Sequence, residues 1–444
     1  MSEATVGFAG MTHLGLVSAV AAAEKGFDVV CYDDDLGAIE RLGRGDLPVA
    51  EPDLADLIAR NRDRLHLTAK LDDLRQCDVL YVAPDVPTDG DGLSDLGPVS
   101  ALIERVAPAM AEGAVLVILS QVPPGFTRAI AGKVSRDVSR DVSRFGAHLF
   151  YQVETLIFGR ALERALEPER FIIGCADPAQ PLPAALAGYL DAYGAPVLPM
   201  GYESAELAKI SINMCLIGAI AVANSMAELC EHIGADWSEI TPALRLDARI
   251  GEHAYIAPGL GLAGGNLERD LATVIALGDA AGTDLGVVRA WQANSRHRRF
   301  WALGVLHDHV LGKATDAVVA ILGLAYKQDT DSVRNSPALA LISALGPYRL
   351  RAYDPEVAVN ADWHPDLAQA HDALDALAGA DAVVVMTPWP EFTALSAADI
   401  DKALRGRAVI DPYGVLDGGA CVAAGLDYFC LGARPRVPNA GDKE

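Results

Sequence analysis

Short apolar runs alternate with segments of helical periodicity at both ends of this chain, and that alternation constrains its fold more than any other feature. TVGFAG, DVVCYDDD, DVLYVAP and AVLVILS punctuate the first part, and after Leu311 the pattern restarts with DAVVAILGLAY, LRAYDP, DAVVVMTP and AVIDPYG. Apolar strands buried on both faces and joined by crossover helices build parallel, doubly wound sheets. Between the two series, ESAELAKISINMCLIGAIAVANSMAELCEHIG reads as one long helix with no proline. The expected organisation is an α/β domain over 1–200, a helical segment over 201–297, a smaller α/β domain over 298–432 and a loosely ordered tail over 433–444.

The formal charge of −24 argues against nucleic acid or an anionic membrane as partner, because the whole surface would repel it. Hydrophobic residues make up 51% of the chain, yet no uninterrupted apolar run approaches the roughly 18 residues of a membrane span. The N-terminal MSEATVGFAG carries no basic n-region or apolar h-region, so a cytoplasmic location is expected. Cys31, Cys77, Cys175, Cys215, Cys230, Cys421 and Cys430 stand singly with no C-x-x-C pair, which reads as reduced, buried thiols and no metal site. VSRDVSRDVSR over 134–144 is a short tandem duplication with charges at helical spacing, expected to lengthen a solvated helix.

The first strand runs into Gly10-Met11-Thr12-His13-Leu14-Gly15 and then a helix. In such a position a G-x-G-x-x-G turn brings a pyrophosphate against helix N-terminal amides. Thr12 occupies the middle glycine, where a Cβ crowds the approach of backbone to phosphate. Asp33 follows Gly15 by 18 residues, about where a carboxylate holds adenosine ribose hydroxyls and favours NAD over NADP. The fold class is therefore read as two Rossmann-like doubly wound domains joined by a central long helix, with NAD as cofactor.

Taken with the motifs that follow, the chain resembles the UDP-glucose/GDP-mannose dehydrogenase family over nearly its whole length. SQVPPGFT is similar to S-T-V-P-P-G-T, and YQVETLIFGRALERALEPERFIIG to N-P-E-F-L-x-E-G followed by P-x-R-x-x-I-G. Ser204-Ala205-Glu206-Leu207-Ala208-Lys209 with Asn213 is similar to S-A-E-x-x-K-x-x-x-N, and the spacing of four puts Lys209 and Asn213 on one helix face. LDARIGEHAYIAPGLGLAGGNLERD resembles D-x-R-I-G, a glycine-rich loop and G-G-S-C-F-P-K-D, and ILGLAYKQDTDSVRNSPA resembles G-L-x-F-K-x-x-T-D-D-x-R-x-S-P.

The resemblance implies a nucleotide-sugar substrate, a homodimer, and a second α/β domain that holds the nucleotide. It implies catalytic roles for Lys209, Asn213, Asp270, Glu154 and Gln121, with Asn266 at the reactive position. It also implies a cofactor site of Gly10, Thr12, His13, Leu14, Gly15, Asp33, Pro87, Thr88 and Arg334. On the sugar side it implies Glu154, Leu156, Lys209, Asn213, Arg249, Tyr255, Gly261, Lys327 and Tyr413.

Three family positions differ. Gln121 replaces the threonine of S-T-V-P-P-G, Tyr413 replaces the arginine of D-G-R-x-V-L-D, and Asn266 replaces the cysteine. That cysteine captures the aldehyde of the first oxidation as a thiohemiacetal and carries the acyl group after the second. An amide forms no thioester. Three functions then stay open: redox-neutral epimerisation by one reversible hydride transfer, with C4 the candidate carbon; a dehydrogenase that stops at the aldehyde or reaches the acid through its hydrate; and a nucleotide-sugar-binding protein without turnover. Stoichiometric NADH release separates the first two, and binding without isotope exchange marks the third.

Overall fold

The structure is a computed structural model that describes residues 4–49, 51–87, 94–136, 148–157, 159–312 and 316–438. The chain divides into two compact units, 1–212 and 213–444. The duplicated VSRDVSRDVSR begins in the last turn of the helix Phe126–Arg136, and the rest of it lies outside the described residues.

The first unit is an eight-stranded sheet: β1 (Val6–Ala9), β2 (Val29–Tyr32), β3 (Leu65–Thr68), β4 (Val79–Val82), β5 (Val115–Ile118), β6 (Leu149–Gln152), β7 (Phe171–Cys175) and β8 (Val197–Gly201). Their order is β3-β2-β1-β4-β5-β6-β7-β8. Neighbours run parallel except β6 and β7, which are antiparallel. Central strands β1, β2, β4 and β5 are buried along their whole length, as uniformly apolar runs between two helical layers must be. One apolar core lies around the helix His13–Glu24, and another around Ile103, Leu116 and Tyr202.

The second unit carries a six-stranded, wholly parallel sheet: β9 (Val318–Leu322), β10 (Arg349–Tyr353), β11 (Leu367–Gln369), β12 (Ala382–Val385), β13 (Ala408–Ile410) and β14 (Asp427–Phe429). The order is β11-β10-β9-β12-β13-β14, the same winding as the first sheet's opening six strands. In each sheet the strand order reverses once, between β1 and β4 and between β9 and β12. Ligands of doubly wound sheets sit outside the carboxyl ends of the strands at such a reversal. The glycine turn after β1 and the GLAYK segment after β9 both lie there.

One helix, Tyr202–Ile233, passes from the first unit into the second. Among the described residues it is the one helix long and apolar enough, by length and composition, to cross a membrane. It also carries buried polar groups: Glu206, Asn213 and Asn224 are each buried and hydrogen-bonded.

Two sequence expectations need correcting. The tail is not wholly loose, since Arg436 exchanges backbone hydrogen bonds with Tyr428 and Arg434 donates to the His232 carbonyl. Nor are all the thiols buried, because Cys215 is exposed on the long helix and Cys430 is half-buried.

Candidate active site

Backbone geometry makes two glycines of the first turn irreplaceable. Gly10 has φ +95°, and a Cβ on Gly15 would lie 1.9 Å from the Gly10 carbonyl oxygen. The turn therefore presses the start of the helix His13–Glu24 against the end of β1. Asp33, just past β2, accepts from Met11 N at 2.7 Å and Asp35 N at 3.0 Å, so the acid thought to hold the ribose also fixes the glycine turn. Thr12 is extended, with φ −80° and ψ −168°. Leu14 is buried in the core around the helix, and Pro87 is exposed, while Thr88 lies outside the described residues.

His13 serves the protein rather than presenting a free ring. Its Nε2 lies 3.1 Å from Glu51 Oε1, and Glu51 also accepts from Gly159 N at 2.8 Å and Ala161 N at 3.3 Å. This buried carboxylate links the glycine turn to the segment after Glu154. Nothing local in the sequence signalled Glu51, whose partners are 38 to 110 residues away.

Glu154 stands just beyond β6. Its Oε1 is 2.7 Å from Lys209 Nζ, and its Oε2 accepts from Leu156 N at 2.9 Å. The pair is nearly closed to solvent, with side chains 13% and 14% exposed, where attraction between charges exceeds its value at a wet surface. Three residues before Lys209 on the same helix, Glu206 accepts from Gly125 N at 2.6 Å and Thr127 N at 2.7 Å, so it caps the helix Phe126–Arg136. Gln121, half-buried between β5 and that cap, is held next to Ser120, whose hydroxyl donates to the Pro84 carbonyl at 2.6 Å.

In the second unit Asn213 Nδ2 donates to Asp270 Oδ2 at 2.5 Å, and Arg269 Nε is 3.4 Å from Asp270 Oδ1. All three residues are buried. The amide expected to donate to a sugar oxygen thus has one hydrogen committed to Asp270. Asn266 is the exposed first residue of the helix Asn266–Ala281, directly after Gly265, which itself follows the left-handed Gly264.

That glycine loop is knitted to the segment after β9. Gly264 N donates to the Arg334 carbonyl at 3.2 Å, Asn335 Nδ2 donates to the Gly264 carbonyl at 2.8 Å, and a Cβ on Gly264 would meet the Tyr326 ring at 2.8 Å. Asn335 also bonds Glu268, which accepts from Arg299 at 2.6 Å. Gly261, at φ +76°, has no room for a Cβ, which would meet the Ser295 carbonyl at 2.4 Å. Lys327 is half-buried with Nζ 5.9 Å from the Tyr326 ring centre.

Three expected sugar contacts are less enclosed or differently engaged. Arg249 is 89% exposed and held by Asp247 at 2.6 Å, and Tyr255 is 49% exposed. Tyr413 packs against the second domain's core, and burial raises its pKa first, with Asp411 second.

Around β9 a single carboxylate gathers the strand ends. Asp354 Oδ2 accepts from Leu324 N, Ala325 N and Trp389 Nε1 at 2.6 to 3.0 Å, while Oδ1 accepts from Glu356 N and Val357 N at 2.9 Å. The Tyr353-Asp354-Pro355 and Thr387-Pro388-Trp389 landmarks of the sequence are therefore one construction.

Comparison with known proteins gives three sequence-profile matches in order: the NAD binding domain of the UDP-glucose/GDP-mannose dehydrogenase family over 4–187, its central domain over 203–296 and its UDP binding domain over 320–418. The chain belongs to the UDP-glucose/GDP-mannose dehydrogenase family. It is 31% identical to a UDP-glucose 6-dehydrogenase of Pseudomonas aeruginosa, over 96% of this chain and 97% of that one. With a UDP-glucose 6-dehydrogenase of Haloferax volcanii it shares 32% identity over 95% and 98%. Among solved structures, a UDP-D-ManNAc dehydrogenase from Pyrococcus horikoshii superposes with TM-score 0.82 at 27% identity, covering 96% of this chain and 99% of that one.

The family's cofactor is NAD, and the first domain fits it at Gly10, Gly15 and Asp33. The amides at the start of the helix His13–Glu24 fit less simply. His13 N donates to Asp85 Oδ2 at 3.1 Å, so a carboxylate already faces the position of a phosphate.

Proposed function

We propose that this family member transfers one hydride, reversibly, at a carbinol of a nucleotide sugar, and so epimerises it, with C4 a reasonable reacting carbon. The observation that carries the proposal is Asn266. It opens the helix Asn266–Ala281 at the position the family's motif gives to cysteine, and its amide cannot carry an acyl group.

Six of the seven thiols offer no evident substitute, and the seventh, Cys215, lies exposed on the long helix outside the matched motif. Burial pushes Cys31, Cys77 and Cys430 up to about 12 and Cys421 up to about 11. Cys230 is packed with Trp237 and Ile256, and burial raises its pKa as well as that of Cys175. Thiols held protonated are poor nucleophiles.

NAD, when bound, supplies a two-electron hydride acceptor. The protein's part is proton handling. Lys209, oriented by Glu154, is the group proposed to take the carbinol proton after passing one of its own to the Glu154 carboxylate, and then, as the ammonium, to stabilise the oxyanion. Asp270 fixes Asn213, which keeps a second amide hydrogen for a sugar oxygen. Lys327 and the loop it sits on would meet the nucleotide end of a UDP sugar.

A second reading is favoured by the relatives named above, which are dehydrogenases: oxidation of a primary alcohol to the aldehyde, or to the uronate through the aldehyde hydrate. The test is to incubate the enzyme with NAD and a panel of nucleotide sugars, following NADH absorbance and sugar NMR in deuterated buffer. An epimer without net NADH is expected. A uronate with two NADH per sugar overturns the proposal, and an aldehyde with one NADH selects the second reading.

We further propose a homodimer. Val222, Met226, Leu229 and Ile233 form an exposed apolar stripe at helical spacing along the long helix.

A further inference from the structure

In a doubly wound domain the dinucleotide's pyrophosphate rests on the first helix's N-terminal amides, which carry partial positive charge. Here that end of the helix already faces an anion of the protein's own. Asp85 Oδ2 accepts from His13 N at 3.1 Å. Asp85 N donates to Thr12 Oγ1 at 2.9 Å, and the same hydroxyl donates to the Ala83 carbonyl at 3.4 Å.

Thr12 stands at the middle position of the glycine motif. A glycine there would have no hydroxyl, so the segment after β4 would lose the bond that latches it to the turn. The unusual Thr12 and the carboxylate at the helix start therefore belong to one arrangement: the first holds the backbone that positions the second.

We infer that Asp85 is a built-in competitor for the pyrophosphate of NAD, which seats fully only when the Asp85 carboxylate leaves the His13 amide or becomes neutral. A pyrophosphate brought beside an ionised Asp85 meets like charge where the helix would otherwise favour it. The inference concerns affinity for the dinucleotide and holds whichever reaction follows.

The groups facing Asp85 are known by element. From the first helix comes His13, whose ring is held by Glu51. From the segment after β6 comes Glu154, paired with Lys209. In the glycine turn itself Met11 is held by Asp33. Asp85 is exposed on its outer side, while the protein packed on its inner side, and then the Glu154 charge, push its pKa upward, with Thr12 and His13 opposing. The neutral form therefore gains as pH falls, and dinucleotide affinity should rise with it.

The test is direct binding of NADH to the full-length protein, read by fluorescence titration at mildly acidic and mildly alkaline pH, for wild type, Asp85→Asn and Asp85→Ala. Both variants keep His13, Glu51 and Glu154, so any titration of those groups stays in the comparison. The expected result is about tenfold tighter NADH binding by both variants at alkaline pH, an advantage that does not grow as pH falls. Unchanged affinity, weaker affinity or an advantage that grows toward acid pH overturns the inference, and weaker binding would make Asp85 a ligand of the cofactor instead. Product identity plays no part in the readout, so the result is independent of the proposed reaction.

Discussion

Asn213 gives a side-chain hydrogen to Asp270 at 2.5 Å, with Asn213 7% exposed and Asp270 1% exposed. The two residues are 57 apart in sequence, so this bond fastens the start of the helix Asn266–Ala281 to the long helix. Asn213→Ala leaves a buried carboxylate short of a donor and should destabilise the protein by about 1–3 kcal/mol. Chemical denaturation of the variant measures it, and a loss below the lower figure would mean that other donors already satisfy Asp270.

Lys209 and Glu154 are expected to behave as a unit. Lys209→Met removes the cation paired with the largely enclosed Glu154 carboxylate, at a cost of roughly 3 kcal/mol, and should also abolish turnover. Lys209→Met with Glu154→Gln should recover much of the stability and none of the activity. Thermal melts and product assays on the three proteins separate the two roles.

Asn266→Cys restores a thiol at the first position of a helix, where a thiolate is stabilised and the pKa falls below the usual value of about 8.5. The variant should accumulate NADH with a substrate whose primary alcohol reaches the cofactor, and alkylation rates against pH should show the lowered pKa. A variant that binds substrate yet yields neither signal places the reacting carbon away from residue 266.

Asp411 lies fully buried in the second domain, accepting from Leu416 N at 2.8 Å and the Tyr428 hydroxyl at 2.9 Å. Desolvation is the largest influence on it and raises its pKa, so the folded protein holds its proton more tightly than the unfolded chain. Its contribution to stability is thus fully present below the unfolded carboxylate value and is lost as pH rises through the folded one. Asp411→Asn should gain stability relative to wild type as pH climbs from acid toward neutral. Melting curves at the two ends of that range check the sign.

Leu229→Asp and Met226→Asp put charge on the exposed stripe of the long helix. If two copies pair through it, size-exclusion chromatography should show the dimer shifting to monomer at protein concentrations where wild type stays paired. Circular dichroism should remain unchanged, because neither side chain is part of the core.

Much of this architecture was legible from local pattern. The apolar runs around Val6–Ala9, Val79–Val82 and Val318–Leu322 became central strands because uniformly apolar segments must be covered on both faces. The glycine turn was equally readable, since Gly10 and Gly15 are demanded by backbone geometry that spacing alone signals. Lys209 and Glu154 were each picked out through family motifs, but their pairing was not foreseen, as 55 residues separate them in the chain. Asp85 was missed altogether: its contact to His13 spans 72 residues, and a single aspartate in a loop carries no periodicity. Glu51 and Glu206 escaped as functional supports for the same reason, because each holds backbone amides far away in sequence.

The five hydrogen bonds converging on Asp354 have a dynamic consequence for the second domain. Opening any one of the segments that follow β9, β10 and β12 would strand the same carboxylate away from water. These amides should therefore exchange with solvent in concert, as a single cooperative unit. A domain built this way keeps the ends of β9, β10 and β12 fixed to one another through a single side chain.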